Sequence, residues 1–230
     1  MGSYMLGYYD TSWLILIVVS LVFGFSTQIY IKSRFKKWSR VANTIGLTGG
    51  QVARKMLDAH GLSYVSLSVI AGELTDHYDP KNQIVALSEQ VYYNRSVSAL
   101  AIASHECGHA IQHALKYTPS VVRGALVPPI NLASSIWMFV LIAGVYLSVM
   151  GLIWAAIILY AITIVFQFVT LPVEFNASHR AMEFINSYGY IPTEESKGAR
   201  SVLTAAALTY VAAALISVMQ LLYIFRHTTR

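Results

Sequence analysis

The sequence predicts a mainly α-helical integral membrane protein of about four transmembrane helices, with a small α+β domain on its cytoplasmic side. Three observations lead there. Apolar residues make up 56% of the 230 and charged residues only 12%, about half the share usual in a soluble domain. The apolar surplus is gathered into runs long enough for the roughly 20 helical residues that cross a bilayer core of about 30 Å. Between the first and second of these runs, the chain carries the alternations and capping signals of a folded α+β unit. There is no internal repeat, low-complexity tract or long linker.

The elements follow in order. A short polar segment, Met1 to Thr11, precedes Trp13 to Ile31, a nearly continuous apolar run. No basic residue precedes the run and no small-residue cleavage site follows it before Lys32, so a retained anchor is expected rather than a signal peptide. Lys32, Arg34, Lys36, Lys37 and Arg40 follow the run, whereas its N-terminal flank carries only Asp10. By the positive-inside rule the next segment is cytoplasmic and the N-terminus lies outside.

Within that segment Thr48 is placed to cap a helix through Ala59 that Gly61 ends, with Val52, Met56 and Leu57 as its apolar stripe. Tyr64 to Ile70 alternates as a half-buried strand, and Gln83 to Ser88 is a second strand. Asp79-Pro80 reads as a turn between them. A further helix, with Asn94, Ser96 or Ser98 as competing caps, runs to about Lys116, where Pro119 stops it. Ile130 to Val149 and Leu152 to Thr170, joined by Met150-Gly151, form a membrane hairpin, and Val202 to Phe225 is the last span.

The expected organisation is therefore 1–31, N-terminal segment and first span; 32–120, cytoplasmic domain; 121–173, hairpin; 174–200, a cytoplasmic return; and 201–230, last span and C-terminus, the latter outside. Of the 16 Lys and Arg, all but Arg226 and Arg230 then fall on the cytoplasmic side. The formal charge of +5 is explained by this orientation and calls for no nucleic-acid partner. Cys107 is the single cysteine, so no intrachain disulfide forms.

The chemistry is concentrated in His105-Glu106-Cys107-Gly108-His109, an HExxH pattern on the predicted helix. Residues four apart are roughly 400° apart around a helix, so the two imidazoles share one face and can reach one Zn2+ ion. Glu106 sits on the flank of that face, which suits a base acting on water more than a ligand. A catalytic zinc takes three protein ligands and an open position. Glu174, just after the hairpin returns, is the leading third candidate, and Glu183 and His113 compete. Three ligands from one straight helix would strain a tetrahedral site, which ranks His113 lower. Pro172 marks Glu174 as standing near a helix start. His77, in the loop before the second strand, is read as structural. A metzincin pattern is excluded, because positions 112 and 115 are Gln and Leu.

Leu74 to Pro80, His105 to Gln112, Leu171 to Ser178 and Ala205 to Tyr210 together resemble the YugP-like membrane zinc metallopeptidases of bacteria, over nearly the whole chain. The order of span, soluble segment, zinc helix, membrane hairpin and downstream Glu is more distantly similar to the HtpX-type peptidases and CAAX prenyl proteases, which are gluzincins. The resemblance implies a zincin-like domain, one catalytic zinc on His105, His109 and Glu174, Glu106 as general base, and hydrolysis of peptide bonds in unfolded or membrane-associated proteins. In the HtpX-type pattern an Asp stands four residues after the third ligand; here that place holds Ser178, which cannot supply a negative charge behind an imidazole. His179, Arg180 and Tyr210 are the candidates to stabilise an oxyanion. Substrate is expected to lie along the Gln83 to Ser88 strand. Two other classes fit the sequence less well. A non-catalytic zinc-binding scaffold or regulator has no use for Glu106, and a channel or transporter calls for ionisable groups within the spans, which hold none.

Overall fold

The computed structural model describes residues 11–187 and 191–228; Met1 to Asp10 and Arg230 lie outside them. Among the described residues, seven helices and three strands follow in chain order: α1 (Thr11–Ser39), α2 (Gly49–Ala59), β1 (Ser66–Ile70), β2 (His77–Asp79), β3 (Ile84–Ser88), α3 (Glu89–Tyr92), α4 (Val97–Ala114), α5 (Thr118–Tyr146), α6 (Met150–Ser187) and α7 (Thr193–Thr228). Four of these, α1, α5, α6 and α7, are long and apolar enough to cross a membrane. Their outward faces carry large apolar side chains in the open, among them Val22, Phe25 and Ile29 on α1, Phe139 and Ile142 on α5, and Ile158 and Val165 on α6. Exposure on that scale fits lipid and not water as the surrounding medium. Trp13 packs against Tyr223 and Trp154 against Phe225, so aromatic rings from the start of α1, the start of α6 and the end of α7 gather at one end of the bundle, as in an interfacial belt.

The helix α4 runs through the middle of the structure and is buried on two sides. One side packs with Met56 and Leu57 of α2, Val85 and Leu87 of β3 and Phe35 of α1 through Ala103, Cys107 and Ile111. The other side, with Leu100 and Ala101, packs on Ala181 and Ile185 of α6 and Val202 and Leu203 of α7. A helix apolar on both flanks belongs inside a fold. Its ends are closed locally. Ser96 is the cap that forms, its hydroxyl accepting from Ala99 N–H, and Lys116 turns the chain out in the left-handed region at φ 50°. Thr48 and Gln51 make a reciprocal capping box at α2.

Several expectations are corrected. Residues 77–79 form a third strand, not a turn segment alone: β2 pairs antiparallel with β3, and Asp79 makes the turn by accepting from Lys81 and Asn82 N–H. The sheet order is β1-β3-β2, with β1 parallel to β3. β3 is thus the central strand, hydrogen-bonded on both edges from Ile84 to Ala86, and has no free edge there for an added substrate strand. The hairpin turn lies at Leu147 to Val149, where Ser148 has φ 55°, and the expected Met150-Gly151 junction is instead the first turn of α6. Glu174 does not open a helix. Pro172 sits inside α6, which continues unbroken from its apolar part to Ser187; proline is commonly tolerated inside membrane helices. From Met150 to Glu174 the helix climbs roughly 36 Å at 1.5 Å per residue, slightly more than the hydrocarbon core. One continuous helix is therefore long enough to cross a bilayer core before it reaches Glu174.

Candidate metal centre

The site is assembled where α4 and α6 cross. Gly108 makes the crossing close: a Cβ built there would stand 2.7 Å from Ala177 O and 3.1 Å from Ala177 Cα. Gly108 lies between His105 and His109, and Ala177 lies between Glu174 and Ser178, so the closest backbone approach falls between the functional side chains. His105 and His109 stand edge to face, ring centroids 4.7 Å apart. Glu174 Oε2 is 3.4 Å from His105 Nε2 and 3.6 Å from His109 Nε2. One ligand atom from each of these three residues falls within a 4.8 Å cluster.

Each of the three is held from behind. Ser178 Oγ lies 3.2 Å from His105 Nδ1, and Gln112 Oε1 lies 3.1 Å from His109 Nδ1. The second oxygen of Glu174 pairs with Arg123 Nη1 of α5 at 3.3 Å. Only 3% of Glu174 is exposed, and a carboxylate so buried requires such partners. Burial works against a charged His109, but the Glu174 contact together with the Glu106 and Glu174 charges outweighs it, and its pKa lies above the ordinary 6.5. The cluster therefore draws positive charge. Two imidazoles and a carboxylate are the donor set of a zinc site with an open position, and the residues fit that ion.

Glu106 is buried and, with His105 and Glu174, lines a cavity of about 260 Å³ that α7 closes with Tyr210, α1 with Gln28 and Ile31, and the loop before β2 with Leu74 and Asp76. Asp76 accepts from Ser88 N–H at 2.7 Å. Its carboxyl is raised above the usual carboxylate value by burial, a rise the Ser88 bonds partly offset and the Glu106 charge reinforces. Burial likewise pushes the Cys107 thiol up, and Cys107 packs as a core residue with no exposed surface.

The remaining sequence candidates separate clearly. Tyr210 and Ser178 are at the site. His179 is turned outward, paired with Glu183 at 3.2 Å on an exposed face, so neither reaches the cluster. Arg180 is spent on Asn176, its Nε donating to Oδ1 at 2.9 Å. His113 meets Tyr78 OH at 2.9 Å, and burial raises the Tyr78 phenol to about 12. His77 is exposed and bonds Thr75 O. Sequence reasoning passed over Arg123 and Gln112. Arg123 left a faint signal, a lone cation in the apolar first turns of α5; Gln112 left none, since its role depends on the α4–α6 crossing.

Four candidate membrane spans together with a His, His, Glu cluster in which Glu174 is buried and both imidazoles are partly buried define the class: a multi-pass membrane protein with a candidate metal centre. Comparison with known proteins agrees. The family described as "Putative neutral zinc metallopeptidase" matches residues 13–229, and the chain belongs to it. It is 47% identical over 207 residues, 90% of this chain and 92% of the relative, to the "Putative membrane protease YugP" of Bacillus subtilis (strain 168). No solved structure matches.

Proposed function

We propose that the protein is a membrane-embedded, zinc-dependent endopeptidase of gluzincin type, with His105, His109 and Glu174 as metal ligands and Glu106 as general base. The carrying observation is the convergence of those three ligand groups, two of which, His105 and Glu174, line the cavity together with Glu106. Zinc, when bound, would polarise a substrate carbonyl and lower the pKa of a water at the site. Glu106 takes a proton from water in the cavity and delivers it to the leaving amine, the work of a positioned carboxylate. Tyr210, which lines the same cavity from α7, is the donor we assign to the developing oxyanion. His179 and Arg180 are not assigned that role, because each is engaged elsewhere.

The α1, α4 and α7 walls of the cavity favour chains that are unfolded or delivered at the membrane surface, since a folded domain would not enter 260 Å³. The basic residues at the end of α1, Lys36 and Lys37, support a cytoplasmic site with both termini outside. Chelation tests this reading: in liposomes, cleavage of an unfolded reporter is lost on zinc removal and returns on adding zinc back. Cleavage that survives complete removal of metal contradicts it.

A further inference from the structure

The side chain of Gln112 is completely buried, and its hydrogen bonds run in one direction. Its Nε2 donates to Val173 O at 2.7 Å and to Asn176 Oδ1 at 3.0 Å, and its Oε1 faces His109 Nδ1 at 3.1 Å. Asn176 Oδ1 also receives Arg180 Nε at 2.9 Å. The direction follows from the two ends. A guanidinium only donates and a main-chain carbonyl only accepts. Arg180 therefore requires the oxygen of Asn176 at the shared position, and that oxygen, with Val173 O, requires the NH2 of Gln112. Only the Gln112 oxygen is left for His109, so Nδ1 must carry the hydrogen. The lone pair of the neutral ring then sits on Nε2, the nitrogen that faces Glu174.

We propose that Arg180, Asn176 and Gln112 form a directional relay that fixes His109 as the Nδ1–H tautomer and so selects Nε2 for the metal. Gln112 and Asn176 are positioning residues: they act through His109 and touch no substrate. The relay also ties the helix bearing His109 to the helix bearing Glu174, because Val173 and Asn176 flank that carboxylate. Both histidines are thus oriented by neutral groups carried or held by α6, Ser178 for His105 and Gln112 for His109. Ligand-supporting partners of this kind typically control metal affinity by 10- to 100-fold.

The inference rests on His109 being a ligand, and the test separates the two claims. Zinc affinity is measured by chelator competition on the full-length protein in detergent, for wild type, His109→Ala, Gln112→Met and Asn176→Asp. The relay predicts that Asn176→Asp, which keeps an acceptor in place, stays within about threefold of wild type. Gln112→Met offers no acceptor to His109 and should lose about 10- to 100-fold. In ¹⁵N-histidine spectra of the zinc-free protein at alkaline pH, His109 should be the Nδ1–H tautomer in wild type and a mixture in Gln112→Met, a change that loosened packing alone would not produce. Wild-type affinity with an unaltered tautomer in Gln112→Met overturns the relay. Undiminished zinc binding in His109→Ala overturns instead the ligand assignment beneath it.

Discussion

Glu174 divides its two oxygens between opposite partners: Oε1 lies 3.3 Å from the Arg123 guanidinium, while Oε2 faces both imidazoles at 3.4 and 3.6 Å. Without a metal, Arg123 is the fixed positive charge beside a buried carboxylate. Arg123→Ala should therefore destabilise the zinc-free protein by about 1–3 kcal/mol, and the zinc-loaded protein by less, because the ion takes over the neutralisation. Thermal unfolding in detergent with and without zinc measures both. Equal losses in the two states would show that Arg123 does not serve Glu174.

The Gly108 contact gives a steric prediction. Gly108→Ala forces a methyl against Ala177 O, from a starting separation of 2.7 Å. The α4–α6 crossing must widen, costing about 1–3 kcal/mol and spreading the ligands, so zinc affinity falls as well. Gly124→Ala, where a Cβ meets nothing within 4 Å, is the control and should leave both unchanged.

Ser178→Asp restores a carboxylate behind His105. A charged acceptor makes the imidazole a stronger donor, so zinc affinity should rise by about tenfold, read by chelator competition. A fall would mean that the 3.2 Å contact does not orient the ring.

Asp76 yields a pH dependence. Burial raises its folded pKa above the 3.8 of the free carboxyl, so the folded state holds this proton more tightly than the unfolded chain. Its contribution to stability is then greatest below 3.8, declines as pH rises through the raised folded value, and is flat above it. The stability difference between wild type and Asp76→Asn, followed by thermal unfolding across that window, should decline with rising pH; a difference that grows contradicts the environment described for Asp76.

Much of this was legible in the chain. Three of the four apolar runs fall within long helices, with Ile130 to Val149 overrunning α5 into the hairpin turn, Thr48 caps α2 as its place before the apolar stripe indicated, and His105 and His109 share the helical face that their four-residue interval dictates. The misses have a common physical cause. Pro172 reads locally as a helix boundary, yet α6, packed against α4 and α7, runs through it. Residues 77–79 are too few to display a period, and they become a strand only because β3 offers an edge. Gln112 and Arg123 owe their positions to helices that approach from at least 50 residues away in sequence, beyond any local pattern.

Glu106→Gln is the most direct test of the proposed chemistry. It removes the base and preserves the shape of the side chain, leaving His105, His109 and Glu174 intact. Zinc content per chain and cleavage of an unfolded reporter should be measured on the same liposome preparation. Zinc at the wild-type level with cleavage reduced by at least about 100-fold is expected for a general base. Wild-type cleavage by Glu106→Gln would contradict the assignment of Glu106 and the mechanism built on it.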